Sequence, residues 1–217
     1  MSEAKDPHCL SDSEIDKLLS GAPWRRFVVM GDSHAEGLGD PVPGYRSLSW
    51  ADRTAEALRR QQPDLAYLNL GQRNLSAGRV RDTQLAPALD FGPDLAVLHC
   101  GGNDLLGHDF DAVVVAGTLE GMIVALRDVG ADVVMAGLID LTLAFPRLAV
   151  LHDRMMAFNE AAEAVAHRHG ALFIDKWTHP AREQRDLFSR DMLHPSMRGH
   201  AVSATELIKV LSGRLRH

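Results

Sequence analysis

Five short, almost wholly apolar runs are spaced along this 217-residue chain, with longer amphipathic stretches between them. The runs are Phe27 to Met30, Leu65 to Leu70, Leu95 to Cys100, Val133 to Leu138 and Leu172 to Ile174. Each has the length of a strand and lacks polar alternation, the pattern of strands covered on both faces. Helical patterns lie at Ser49 to Gln61, Val80 to Leu89, Ala112 to Val129 and Leu148 to His169, with a last one from Met197 to Leu211. Alternating β and α segments imply a parallel sheet with helices on both faces.

The expected fold class is therefore α/β: a single-domain, doubly wound, flavodoxin-like three-layer α/β/α arrangement. Its five-stranded parallel sheet has the order 2-1-3-4-5. Gly130 and Gly170 stand where long helical patterns end, and Pro63 and Pro93 stop helices just before strands. Residues 1–22 form a polar leader, expected to be helical or partly disordered, and residues 23–217 form the domain. Apolar residues make up 46% and charged residues 24%, as in ordinary globular proteins. The net charge of −6 argues against nucleic acid as a partner. No basic segment followed by an apolar one opens the chain, so no secretory signal is expected. No apolar stretch approaches the roughly 20 residues of a membrane span. Two cysteines, Cys9 and Cys100, suit a reduced cytoplasm better than a disulfide framework. Oligomeric state leaves no mark on the sequence.

Chemistry is concentrated in two short words far apart in the chain. Gly31-Asp32-Ser33 follows the first apolar run, and Asp191-Met192-Leu193-His194-Pro195 precedes the last helix. In the expected topology the ends of strands 1, 2 and 3 face one crevice, and His194 can fold back over Ser33. Ser33 alone would read as a helix N-cap, a position that favours serine. With His194 and Asp191 present, the three supply a nucleophile, a base and an orienting acid. The second strand ends in Asn69-Leu70-Gly71-Gln72-Arg73-Asn74 and the third in Gly101-Gly102-Asn103-Asp104, sources of backbone N–H and amide donors.

These segments resemble, in order and spacing, the blocks of the SGNH (GDSL-type) hydrolase superfamily, over about residues 27 to 211. The matching blocks are Gly31-Asp32-Ser33, Gly101-x-Asn103-Asp104 and Asp191-x-x-His194-Pro195. The resemblance implies a serine ester hydrolase with Ser33, His194 and Asp191 as catalytic residues. It also implies an oxyanion hole from the Ser33 N–H, a second backbone N–H and the Asn103 amide. The second block departs from the family pattern. Aligned on Asn69, the family glycine falls at Asn74, which tolerates left-handed backbone better than most residues, while Gly71 is the alternative donor. Asp32 and Gly101 are supporting residues. No metal and no cofactor are expected, and the partner is a small-molecule ester of unknown acyl and alcohol parts. An acyltransferase with the same triad is the alternative, followed by a non-catalytic ligand-binding module.

His34, His99 and His200 are expected to satisfy local hydrogen bonds rather than act in catalysis. Tyr45, Trp50, Leu105, Leu106, Phe145 and Trp177 are candidates to line an acyl pocket, with core packing as the stronger expectation. The stretches 38–49 and 141–147 are the candidate specificity loops.

Overall fold

The computed structural model describes residues 1–216. Its five strands are β1 (Arg26–Gly31), β2 (Ala66–Asn69), β3 (Leu95–His99), β4 (Asp132–Ala136) and β5 (Leu172–Ile174). They form one parallel sheet in the expected order β2-β1-β3-β4-β5. β3 is buried throughout and β1 from Phe27 onward, whereas the edge strand β2 is half-buried. That difference explains the unbroken apolar runs at the centre of the sheet.

The helices are α1 (Asp12–Leu18), α2 (Ser33–Glu36), α3 (Trp50–Gln61), α4 (Ala77–Phe91), α5 (Ala112–Asp128), α6 (Leu141–Ala144), α7 (His152–Arg168) and α8 (Met197–Arg214). Alternate strand residues point to opposite faces. Val28, Met30, Ala96, Leu98, Val133 and Met135 pack with residues of α4, α5 and α7. Phe27, Val29, Leu95, Val97, Val134 and Ile174 pack with α3, α8 and the N-terminal segment. The helical pattern that begins at Leu148 is in fact a 3-10 segment, Pro146–Leu151, leading into α7. Gly137 still donates to the Ile174 carbonyl of β5 at 3.1 Å, and the ladder ends at the residue after it. Leu138 exchanges both backbone hydrogen bonds with the Asn159 side chain of α7, at 2.8 and 2.9 Å.

The polar leader is an ordered part of this fold. Ser11 and Glu14 close a capping box on α1, and Leu19 and Ala22 are fully buried. Its acidic groups Glu3, Asp6 and Asp16 pair with arginines of the domain. Asp6 accepts from Arg198 of α8 at 2.7 Å and from the Tyr45 hydroxyl at 2.8 Å, Glu3 meets Arg53, and Asp16 meets Arg60. Among the described residues, no helix is long and apolar enough to cross a membrane.

Candidate active site

Ser33 is placed by the end of β1. The Asp32 N–H donates to the His99 carbonyl on the neighbouring strand at 3.2 Å, and the Asp32 carboxylate accepts from the His34 N–H at 3.0 Å. Asp32 thus caps α2, and Ser33 begins that single turn of helix. Behind it, the buried Gln84 amide of α4 bonds both backbone groups of Gly31, accepting at 2.8 Å and donating at 2.9 Å.

His194 arrives from the other end of the chain. Its Nε2 lies 2.8 Å from the Ser33 Oγ and its Nδ1 lies 2.6 Å from Asp191 Oδ2. A carboxylate beside Nδ1 fixes the proton there and leaves Nε2 to accept from the serine. The second oxygen of Asp191 accepts from the Leu193 and His194 N–H groups at 2.9 and 3.0 Å, which locks the turn. Partial burial pushes the Asp191 carboxyl up, but the hydrogen bonds from His194 and Leu193 outweigh it and hold the group below its ordinary range. The flanks of the turn are joined by a bridge between Phe188 and Pro195. Arg190 and Ser189 tie it to Asp40.

The two candidate backbone donors differ sharply. Asn74 has a left-handed φ of 65° and lines the cavity at Ser33. No hydrogen bond engages its N–H or that of Ser33 among the described residues. Gly71 instead donates its N–H to the Asn69 side chain at 2.9 Å, and a Cβ there would collide with the backbone of α2. Glycine is thus required at 71 for close packing. Asn103 uses one amide hydrogen on the Leu75 carbonyl at 2.9 Å, leaving the other free on the cavity side. Gly101 has φ 109° and lies under the Phe158 ring, where any side chain would collide. Asp104 caps α4 through the Ala77 N–H at 2.9 Å.

A cavity of about 290 Å³ opens at Ser33. Its lining includes apolar side chains, among them Leu105, Leu106, Leu138, Leu141, Leu151 and Met155, and polar ones, among them His34, His99, Lys176, Ser203 and Glu206. Of the aromatic and leucine candidates, Trp50, Leu105 and Leu106 reach it. Tyr45 and Phe145 are packed in satellite cores and Trp177 against the main one. From the candidate loops only Leu141 lines the cavity; stretch 38–49 instead anchors the His194 loop and the leader.

Burial governs the charges here. It pushes the Asp32 carboxyl up to about 7, pulls His34 down to about 3 and His200 to about 4, and holds His99 well below the ordinary imidazole value. These three imidazoles are therefore neutral. His200 bonds as expected, accepting from the Trp50 N–H at 3.2 Å through Nδ1 and donating to the Leu38 carbonyl at 3.0 Å. His99 does not: its buried Nδ1 has no hydrogen-bond partner among the described residues. Sequence reasoning missed Gln84, Lys176 and Glu206. Lys176 had one available signal, its place two residues beyond β5 on the ligand-binding edge of the sheet.

A doubly wound sheet with a serine at the end of its first strand and a histidine before its last helix defines the SGNH class of α/β hydrolases. The chain belongs to the GDSL-like lipase/acylhydrolase family, whose model matches residues 29–202, and is thus a serine hydrolase of the carboxylic-ester type. Among solved structures it is similar to the α/β hydrolase LAE5 from the metagenome of Lake Arreo, Spain. The identity is 18%, 90% of this chain and 97% of that one are covered, and the TM-score is 0.71. An acetylxylan esterase from Geobacillus stearothermophilus, Axe2, gives 15% identity, 88% and 94% coverage and a TM-score of 0.71. The esterase EstA from Pseudoalteromonas sp. gives 15%, 89% and 100%, and 0.69. At these identities the likeness shows a common fold. No curated protein matches the chain in sequence.

Proposed function

We propose that the protein hydrolyses a carboxylic ester through an acyl-enzyme on Ser33, with His194 as base and Asp191 as its orienting acid. The continuous contact from Ser33 Oγ through the His194 ring to Asp191, 2.8 and then 2.6 Å, carries this reading. His194 Nε2 takes the Ser33 proton as Oγ attacks the ester carbonyl. The Ser33 N–H, the Asn74 N–H and the free Asn103 amide hydrogen stabilise the resulting oxyanion. His194 then returns the proton to the leaving alcohol, and water activated by the same base releases the acid. Asp191 keeps the proton on Nδ1 and stabilises the imidazolium. Transfer to an alcohol in place of water uses the same groups, and product ratios with and without an alcohol acceptor separate the two. Cys9 and Cys100 are both free thiols, in keeping with a reducing, cytoplasmic setting.

The test is intact-mass spectrometry after treatment with a fluorophosphonate, on the wild type, Ser33→Ala and His194→Ala. One adduct on Ser33, lost in both variants, is the expected outcome. A folded wild type that takes no adduct would overturn the reading.

A further inference from the structure

The cavity at Ser33 is lined not only by apolar side chains but by polar groups that triad chemistry does not require. Lys176, two residues past β5, lines it together with His34, His99, Ser203 and Glu206. The Lys176 side chain has no carboxylate within 4 Å and no hydrogen-bond partner among the described residues. The facing carboxylates are otherwise accounted for. Glu206 is held by Lys209 at 2.8 Å and lies 3.8 Å from His179 Nε2, while burial shifts Asp32 toward its neutral form. Burial lowers the Lys176 ammonium to about 8, against the opposing pull of Glu206 and Asp32, so it stays charged at neutral pH.

His99 gives a second, independent indication. The residue is 4% exposed and its ring is part of the lining of the same cavity, while its Nδ1, sealed from solvent, has no hydrogen-bond partner among the described residues. A buried polar atom without a partner is costly and calls for an explanation, which an anionic oxygen brought to this ring supplies. The His99 ring adjoins the chemistry, since the His34 ring centroid is 4.9 Å from that of His99 and 5.7 Å from that of His194.

We propose that Lys176 and His99 form a subsite for an anionic group of the substrate, so that the ester presented to Ser33 carries a carboxylate- or phosphate-type charge in its acyl or alcohol part. The inference rests on the ester-hydrolase reading and names the substrate class for that site. The ammonium supplies the charge, and the neutral imidazole supplies a directional bond to an anionic oxygen in a desolvated setting.

The experiment compares matched esters in two arms. In the first, 4-nitrophenyl hydrogen glutarate is set against 4-nitrophenyl methyl glutarate, which differ by one charge in the acyl part. In the second, 4-acetoxybenzoate is set against its methyl ester, which differ in the leaving group. The readout is the ratio of kcat/KM for the charged over the neutral ester. In one arm that ratio is expected to fall on the order of tenfold or more in Lys176→Met, as for loss of a charge-assisted hydrogen bond. An unchanged ratio in both arms overturns the subsite. Glutarate binding to the wild type, followed by calorimetry, needs neither turnover nor a folded variant. Binding at millimolar or better affinity supports the subsite, and no detectable binding counts against it. The fluorophosphonate adduct on Ser33 reports separately on the hydrolase reading, so the two ideas fail by different signals.

Discussion

Asn74 and Met192 are the two non-glycine residues with positive φ among the described residues, both at 65°, and both sit in segments that build the active site. Such conformations cost about 1–3 kcal/mol for residues other than glycine, less for asparagine, and persist where surrounding bonds over-determine them. At Met192 the determinants are the hydrogen bonds closing the Asp191 turn. At Asn74 the left-handed backbone belongs to a residue that lines the cavity and whose N–H is the proposed second oxyanion donor. Asn74→Gly is therefore expected to keep kcat within about threefold, whereas Asn74→Val is expected to lower it by about tenfold or more, with a loss of about 1–2 kcal/mol in urea denaturation. Equal losses in both variants would show that the side chain, not the backbone, matters. Asn103→Ala is expected to lower kcat by about 10²–10³ in ester assays, the usual effect of one lost oxyanion donor. The left-handed backbone at Asn74 was legible because asparagine tolerates it. Met192 gave no such sign, since methionine has no such preference and tertiary bonds alone impose the conformation.

At the scale of elements, the sheet was legible because apolar runs of strand length admit few other uses, and the observed strands fall inside or within a residue of those runs. Gln84 was not. A glutamine in an amphipathic helix reads as a solvent-facing residue, yet α4 turns it inward to hold both backbone groups of Gly31. Gln84→Leu would leave those two buried groups unpaired. It is expected to cost about 1–3 kcal/mol in urea denaturation and to lower kcat, because Ser33 lies two residues beyond the clamped glycine. If kcat is untouched while stability falls, the clamp supports the fold and not the nucleophile. Residues 1–22 read in sequence only as a polar leader, helical or partly disordered; the pairing of Asp6 with Arg198 in the interior joins positions 192 apart and leaves no local sign.

Across the whole molecule, the buried imidazoles set the response to acid. His34 and His200 are held near about 3 and 4 and His99 well below ordinary values, while an unfolded chain binds protons at these positions below about 6.5. Their stabilisation is complete above that value and is lost as pH falls toward the folded values. Asp32 acts oppositely: raised to about 7, it binds a proton in the folded state that the unfolded chain releases above about 4. Burial lowers His179 as well and raises Asp104, so the lowered imidazoles outnumber the raised carboxyls and unfolding takes up protons near pH 5. Stability is therefore expected to fall as pH is lowered around pH 5, by about 1.4 kcal/mol per pH unit for each proton taken up, read from urea midpoints against pH. A flat profile would mean that these rings are protonated in the folded protein.

The contact between Ser33 and His194 spans 161 residues, and the one between Asp6 and Arg198 spans 192. On the proposed mechanism, the serine and its oxyanion donors leave the ribosome well before the base that activates them. On that mechanism a chain stalled before His194 carries a serine with no base beside it.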